Sequence, residues 1–199
     1  MASILVVCTG NVCRSPLAEG FLRGVLEARF GASAPTVSSA GTAGWEGAPA
    51  MPESVAAAEE RGVDISGHRG RELVREHVDN ADLIVGMAAE HRDAVLRSVP
   101  NAAGTTFTLK ELVRLLDALP DADPSAPASE ALVERVAEAD RLRRSGFEGN
   151  RHDEDVVDPL GMPLDSYRAV AWELDEWSRR LAEGLFGLTP ANATALDEA

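Results

Sequence analysis

The chain is poor in cysteine, with two in 199 residues, at positions 8 and 13. That excludes the disulfide framework of a small secreted domain. Basic residues are also few, 19 against 33 acidic ones, for a formal charge of −14. Such a surface repels phosphate at long range, and neither a nucleic-acid nor a membrane partner is expected. Long apolar runs are missing: Met1-Ala2-Ser3 leads straight into Ile4-Leu5-Val6-Val7, too short for a signal or spanning segment, and a cytoplasmic location is expected. His77, His91 and His152 have no ligand spacing with one another, so no metal is expected, and no cofactor either. Internal repeats are absent as well.

What is present is concentrated in Cys8-Thr9-Gly10-Asn11-Val12-Cys13-Arg14-Ser15-Pro16. The preceding apolar run, with its two valines, reads as a short buried strand, and Ser15-Pro16 reads as a helix N-cap followed by proline at the first helical position. A loop joining strand to helix turns free backbone N–H groups and the positive end of the helix dipole toward whatever it encloses. Gly10 permits close backbone approach and Asn11 tolerates a left-handed conformation, so the amides can curl into an anion-binding nest. The planar fork of Arg14 matches two phosphate oxygens, and Cys8 lies in the same positive field, which favours its thiolate.

The remaining pattern alternates. Leu17, Phe21, Val25 and Leu26 mark a helix ending near Gly31, and residues 36–40 read as a second strand. A Gly- and Pro-containing stretch, 41–52, is expected to rim the site, before a helix over 52–61. Residues 81–87 read as a third strand, 88–98 as a helix and 105–107 as a fourth strand; Thr108 and Glu111 form a capping box opening a helix through Leu119. From Asp165 the stripe Val170, Leu174, Trp177, Leu181 and Leu185 marks a core-facing last helix, with Tyr167 read as packing. The length suits one α/β core. The expectation is a four-stranded parallel sheet with helices on both faces and a phosphate-binding loop between first strand and first helix. The single domain spans 1–188, and the small, polar stretch 189–199 reads as a disordered tail.

Cys8, five residues, then Arg14-Ser15-Pro16 at the start of the chain resembles the signature loop of the low-molecular-weight protein tyrosine phosphatases. Asp158-Pro159, just before the last helical segment, is similar to that family's general-acid pair. The resemblance implies Cys8 as nucleophile, Arg14 as phosphate ligand and Asp158 as acid, acting through a phosphocysteine on a tyrosine-phosphorylated protein or peptide. It makes Thr9, Gly10, Asn11, Val12, Cys13 and Ser15 substrate-binding, Ser15 also donating to the sulfur, and places Trp45 beside the substrate cleft. A packed loop tryptophan is the alternative for Trp45. Ser39 and His68 would support the loop, His68 by hydrogen bonding to Asn11. Cys13 would be a spectator in turnover, placed to trap an oxidised Cys8 as a reversible disulfide.

Departures matter too. Many members carry an acidic residue where Ala88 stands, and several carry aromatic residues where Leu160, Gly161 and Met162 stand. Protein arginine phosphatases of the family have threonine at the position of Val12, which favours phosphotyrosine here and leaves phosphoarginine as the alternative. A thiol-coupled arsenate reductase is a second alternative on the same fold, and a phosphate-binding module without turnover a third. Residues 120–154 look like an insertion: a linker over 121–127, then helical spacing over 129–144. They read as a solvated helix with a mobile linker or, alternatively, as a flap whose Arg141, Arg143 and Arg144 meet acidic or phosphorylated partners.

Overall fold

The computed structural model describes residues 2–148 and 154–187. His152 and the 189–199 tail lie outside the described residues. Four strands, β1 (Ser3–Cys8), β2 (Thr36–Gly41), β3 (Leu83–Gly86) and β4 (Thr106–Thr108), form a parallel sheet in the order β2-β1-β3-β4. Because the chain goes to one side of β1 for β2 and to the other for β3, the strand order reverses at β1. In open parallel sheets the carboxyl ends of the strands at such a reversal are where ligands bind. The segment after Cys8 occupies that place.

The apolar run is buried on both faces because helices cover both. Ile4, Val6 and Cys8 enter the larger core, with α1 (Arg14–Phe30), α2 (Pro52–Glu59), α5 (Leu109–Leu116) and α7 (Leu164–Phe186). Leu5 and Val7 face a smaller core with Val78 of α3 (Arg75–Asp79) and Val95 of α4 (Ala89–Ser98). Helices α1 and α7 pack against each other, and Phe30 meets Phe186 edge-to-face with centroids 5.3 Å apart. In α7 the expected stripe is buried at Val170, Leu174, Leu181 and Leu185, and Gly187, in the left-handed conformation, ends the helix. The Thr108–Glu111 capping box opens α5.

The helix of the 120–154 stretch is α6 (Ala128–Arg144). Leu132, Val136 and Ala139 are in the larger core, and Arg135 Nε donates to Gly184 O at 3.0 Å. Arg143 donates to Thr106 O at 2.9 Å and lies 4.1 Å from the Phe107 ring centroid, while Asp140 pairs with both Arg143 and Arg144. These contacts bring α6 to edge strand β4 and to the end of α7, away from the carboxyl ends of the strands. An edge strand needs such cover to avoid pairing with other chains. Among the described residues, α6 makes no hydrogen bond or ion pair to the Cys8 loop or Asp158; the buried Asp140 holds Arg143 against the fold, while Arg144, its other partner, stays exposed. One face of α6 is thus packed on the core, and its opposite face is exposed.

Candidate active site

Between β1 and α1 lie residues 9–13. Asn11, at φ 56°, is the one non-glycine residue with positive φ among those described. That turn brings Asn11 N–H to within 3.3 Å of Cys8 Sγ. The N–H groups of Gly10, Val12 and Cys13 have no acceptor among the described residues. Helix α1 begins at Arg14, with Cys13 at the N-cap and no side-chain cap. This corrects the expected start at Ser15-Pro16. Pro16 is still in the first turn, where no intrahelical bond is lost, and Ser15 is turned inward instead, its Oγ 2.9 Å from Cys8 Sγ.

A buried relay orients that contact. Asn11 Nδ2 donates to Ser15 Oγ at 2.9 Å and to Ser39 Oγ at 2.7 Å, and Ser39 in turn donates to Glu19 Oε2 at 2.6 Å. With Ser15 Oγ accepting from Asn11, its own proton is available to sulfur. Arg71 N–H donates to Asn11 Oδ1 at 2.9 Å, which fixes the amide's orientation, and His68 Nε2 donates to Asn11 O at 2.8 Å. Gly41 and Gly70 make room for this: a Cβ on Gly41 would lie 2.4 Å from Thr9 O, and one on Gly70 2.6 Å from Trp45 O. Thus Ser39 and His68 both contact Asn11, and the same network includes Glu19 and Arg71, which carry no local signal of their own in the sequence.

Arg14 is almost fully buried. Its NH1 donates to Val156 O at 3.2 Å, and NH2 donates to Thr9 Oγ1 at 3.3 Å and to Asp158 Oδ2 at 2.8 Å. Nε is buried and has no partner among the described residues. The Asp158 segment is tied down from below by Val156 N–H to Met87 O at 2.8 Å, and the Asp155 carboxylate accepts from Ala89 N–H at 2.7 Å. Asp155 thus meets the start of α4, whose own cap residue, Ala88, has no side-chain acceptor.

Cys13 is buried, and burial pushes its thiol up to about 11, with the neighbouring Tyr167 and Ser54 hydroxyls acting in the opposite direction. Tyr167, read from the sequence as packing, is buried beside Cys13, and burial pushes its phenol up to about 12. His91, for which the sequence offers no site signal, is 1 % exposed, with Nε2 2.9 Å from Thr9 Oγ1. Burial first, and then Arg14, hold its imidazole down at about 4. Trp45 is not packed away: it is 49 % exposed, its backbone N–H donates to Gly10 O at 3.0 Å, and a Cβ on Gly10 would lie 3.6 Å from its Nε1. Val12 is buried, whereas Val157, Leu160 and Met162, around Asp158 in the chain, are exposed.

The family model described as low molecular weight phosphotyrosine protein phosphatase matches residues 3–140. A protein-arginine-phosphatase of Geobacillus stearothermophilus is 32% identical over 182 residues, 92% of this chain and 95% of that one. The low molecular weight protein-tyrosine-phosphatase Etp of Escherichia coli K12 is 42% identical over 105 residues, 53% of this chain and 67% of that one. Among solved structures, the arginine phosphatase YwlE from G. stearothermophilus superposes with a TM-score of 0.68 at 31% identity, over 93% of each chain. A low molecular weight protein tyrosine phosphatase from T. tengcongensis gives 0.68 at 34% identity, over 92% of this chain and 99% of that one. Loop, fold and these matches agree, and the chain belongs to the low-molecular-weight protein tyrosine phosphatase family.

Proposed function

We propose that this chain hydrolyses phosphotyrosine on proteins or peptides in two steps, with Cys8 as nucleophile and Asp158 as proton donor. The observation that carries this reading is the Arg14 guanidinium: its Nε–H is unpartnered in a buried site, and its NH2 sits on the Asp158 carboxylate. A phosphoryl group entering the loop takes Nε and NH2 as a bidentate pair, and the free N–H groups of residues 10, 12 and 13 take the remaining charge. Asp158, 44 % exposed at its side chain, is displaced from Arg14 by that group and freed to meet the leaving oxygen.

In the first step the Cys8 thiolate attacks phosphorus, the bond to the phenolic oxygen breaks, and Asp158 gives that oxygen its proton. In the second, Asp158 takes a proton from water, the resulting oxygen attacks phosphorus, and the S–P bond breaks to return the thiolate to Ser15 Oγ. Gly10, Asn11, Val12 and Cys13 contribute through the backbone. Trp45 at the rim, with exposed Leu160 and Met162, offers apolar surface for a phenol ring. No described helix is long and apolar enough to cross a membrane; we place the protein in the cytoplasm, where both cysteines stay reduced.

A second reading, dephosphorylation of phosphoarginine, is favoured by one observation: the G. stearothermophilus and Bacillus subtilis relatives that align over 92% of this chain are both named protein-arginine-phosphatases. Against it stands Val12, which has no hydroxyl to offer the loop. The two-step reading is tested with Asp158→Ala. On slow leaving groups its turnover should fall by roughly 10²- to 10⁴-fold, and rapid quenching should find a phosphoryl group on Cys8. A Cys8→Ser protein that still turns over would overturn it.

A further inference from the structure

One buried titratable group beside the loop has no part in the two steps just described. His91 in α4 contacts Thr9 Oγ1 at 2.9 Å through Nε2, and its Nδ1 is buried with no partner among the described residues. The proton of a neutral imidazole must sit on one of these nitrogens. On Nδ1 it would be a buried N–H without an acceptor, which costs more than an unfilled lone pair. On Nε2 it is donated to Thr9, the exposed Glu90 carboxylate, at 3.4 Å, being the other acceptor nearby. Arg14 NH2 donates to the same Thr9 oxygen at 3.3 Å. A hydroxyl has two lone pairs and one proton. With both lone pairs filled, Thr9 has to donate to a third group, and it stands at the second position of the loop.

We propose that His91 is a positioning residue: its neutral imidazole, donating from Nε2, fixes Thr9 both as an acceptor that tethers Arg14 and as a donor to an oxygen of the phosphoryl group. The inference rests on the phosphatase reading above and extends it to a residue in another helix. Arg14 is thereby held at two points, Val156 O on NH1 and Thr9 Oγ1 on NH2, when Asp158 leaves it. The rotamer freedom that a released guanidinium would regain is withheld.

The test uses a phosphotyrosine peptide, with Cys8→Ser as blank. His91→Leu and Thr9→Val should each lower kcat by roughly 10- to 100-fold, the worth of a hydrogen bond to a charged group, with a smaller change in KM. The double variant should be no slower than the slower single one. His91→Gln, which keeps an N–H near the place of Nε2, should regain most of the rate. Full rate in His91→Leu, multiplying effects in the double variant, or Gln as slow as Leu would each overturn the proposal. Ring ¹⁵N NMR of the wild-type protein reads the tautomer without any variant having to fold: a proton on Nε2 supports the proposal, and one on Nδ1 overturns it. A wild-type protein with no Cys8-dependent release overturns both this inference and the phosphatase reading.

Discussion

Asn11→Ala is the substitution that the loop's construction makes most costly. The Asn11 side chain donates to Ser15 Oγ and Ser39 Oγ and accepts from Arg71 N–H, at 2.9, 2.7 and 2.9 Å, and the residue is fully buried. Alanine removes all three bonds and leaves their partners behind, at about 1 kcal/mol each as a lower figure. Alanine must also hold φ 56°, at a cost of about 1 kcal/mol relative to a residue that tolerates the left-handed region. The sum is about 4 kcal/mol, a large fraction of the roughly 5–15 kcal/mol that stabilises a typical domain. It corresponds to a fall in Tm of about 8–16 °C for a chain of this size. Urea and thermal unfolding read it directly. Asn11→Gly removes the same bonds without the backbone strain and should recover about 1 kcal/mol of the loss. An Asn11→Ala protein within 1 kcal/mol of wild type, or a Gly variant no better than the Ala variant, would refute the argument.

Other expectations follow from the same contacts. His91 is held down at about 4, below its ordinary 6.5, by burial and by Arg14, with Asp155 and Asp158 opposing. The unfolded chain therefore takes the proton first as pH falls, so this contribution to stability is complete above pH 6.5 and is lost on the way down to pH 4; it is on the order of 3 kcal/mol. Urea melts at pH 7 and 4.5 should show a larger loss for wild type than for His91→Gln, and equal losses would contradict the buried neutral state. Cys13, buried and pushed up to about 11, should resist iodoacetamide at pH 8 in a Cys8→Ser protein, whereas labelling at the rate of a free thiol would show it to be accessible. In α6, Leu132→Ala should cost about 3 kcal/mol with kcat on a phosphoprotein unchanged; a fall in kcat without loss of stability would support the flap reading.

Fold and loop were largely legible because their signals are local. An apolar run, a turn residue tolerant of φ > 0 and a helix pattern in immediate succession define β1, the Asn11 turn and α1. The Thr108–Glu111 capping box is equally local, as is the α7 stripe. What escaped depends on residues far apart in the chain. Ser15 has cap chemistry, but Cys8 and Asn11 claim its hydroxyl. Glu19, Arg71 and His91 each look like ordinary members of their segments, and they become parts of the site through partners 20, 60 and 82 residues away respectively. The short α3, five residues long, carries no periodicity to read. Helix α6 was legible as a helix, and its place was not: Arg143 spends its charge on a backbone carbonyl, an aromatic ring and Asp140 rather than on solvent.

The central claim is Cys8-dependent phosphoryl transfer in the loop, and the most direct measurement is initial-rate phosphate release from phosphotyrosine and phosphoarginine peptides in parallel, with Cys8→Ser as blank. The expected result is release from phosphotyrosine that vanishes in Cys8→Ser. Preference for phosphoarginine would keep the chemistry and overturn the substrate, and equal release by the Cys8→Ser protein, or none by the wild type, would contradict the mechanism.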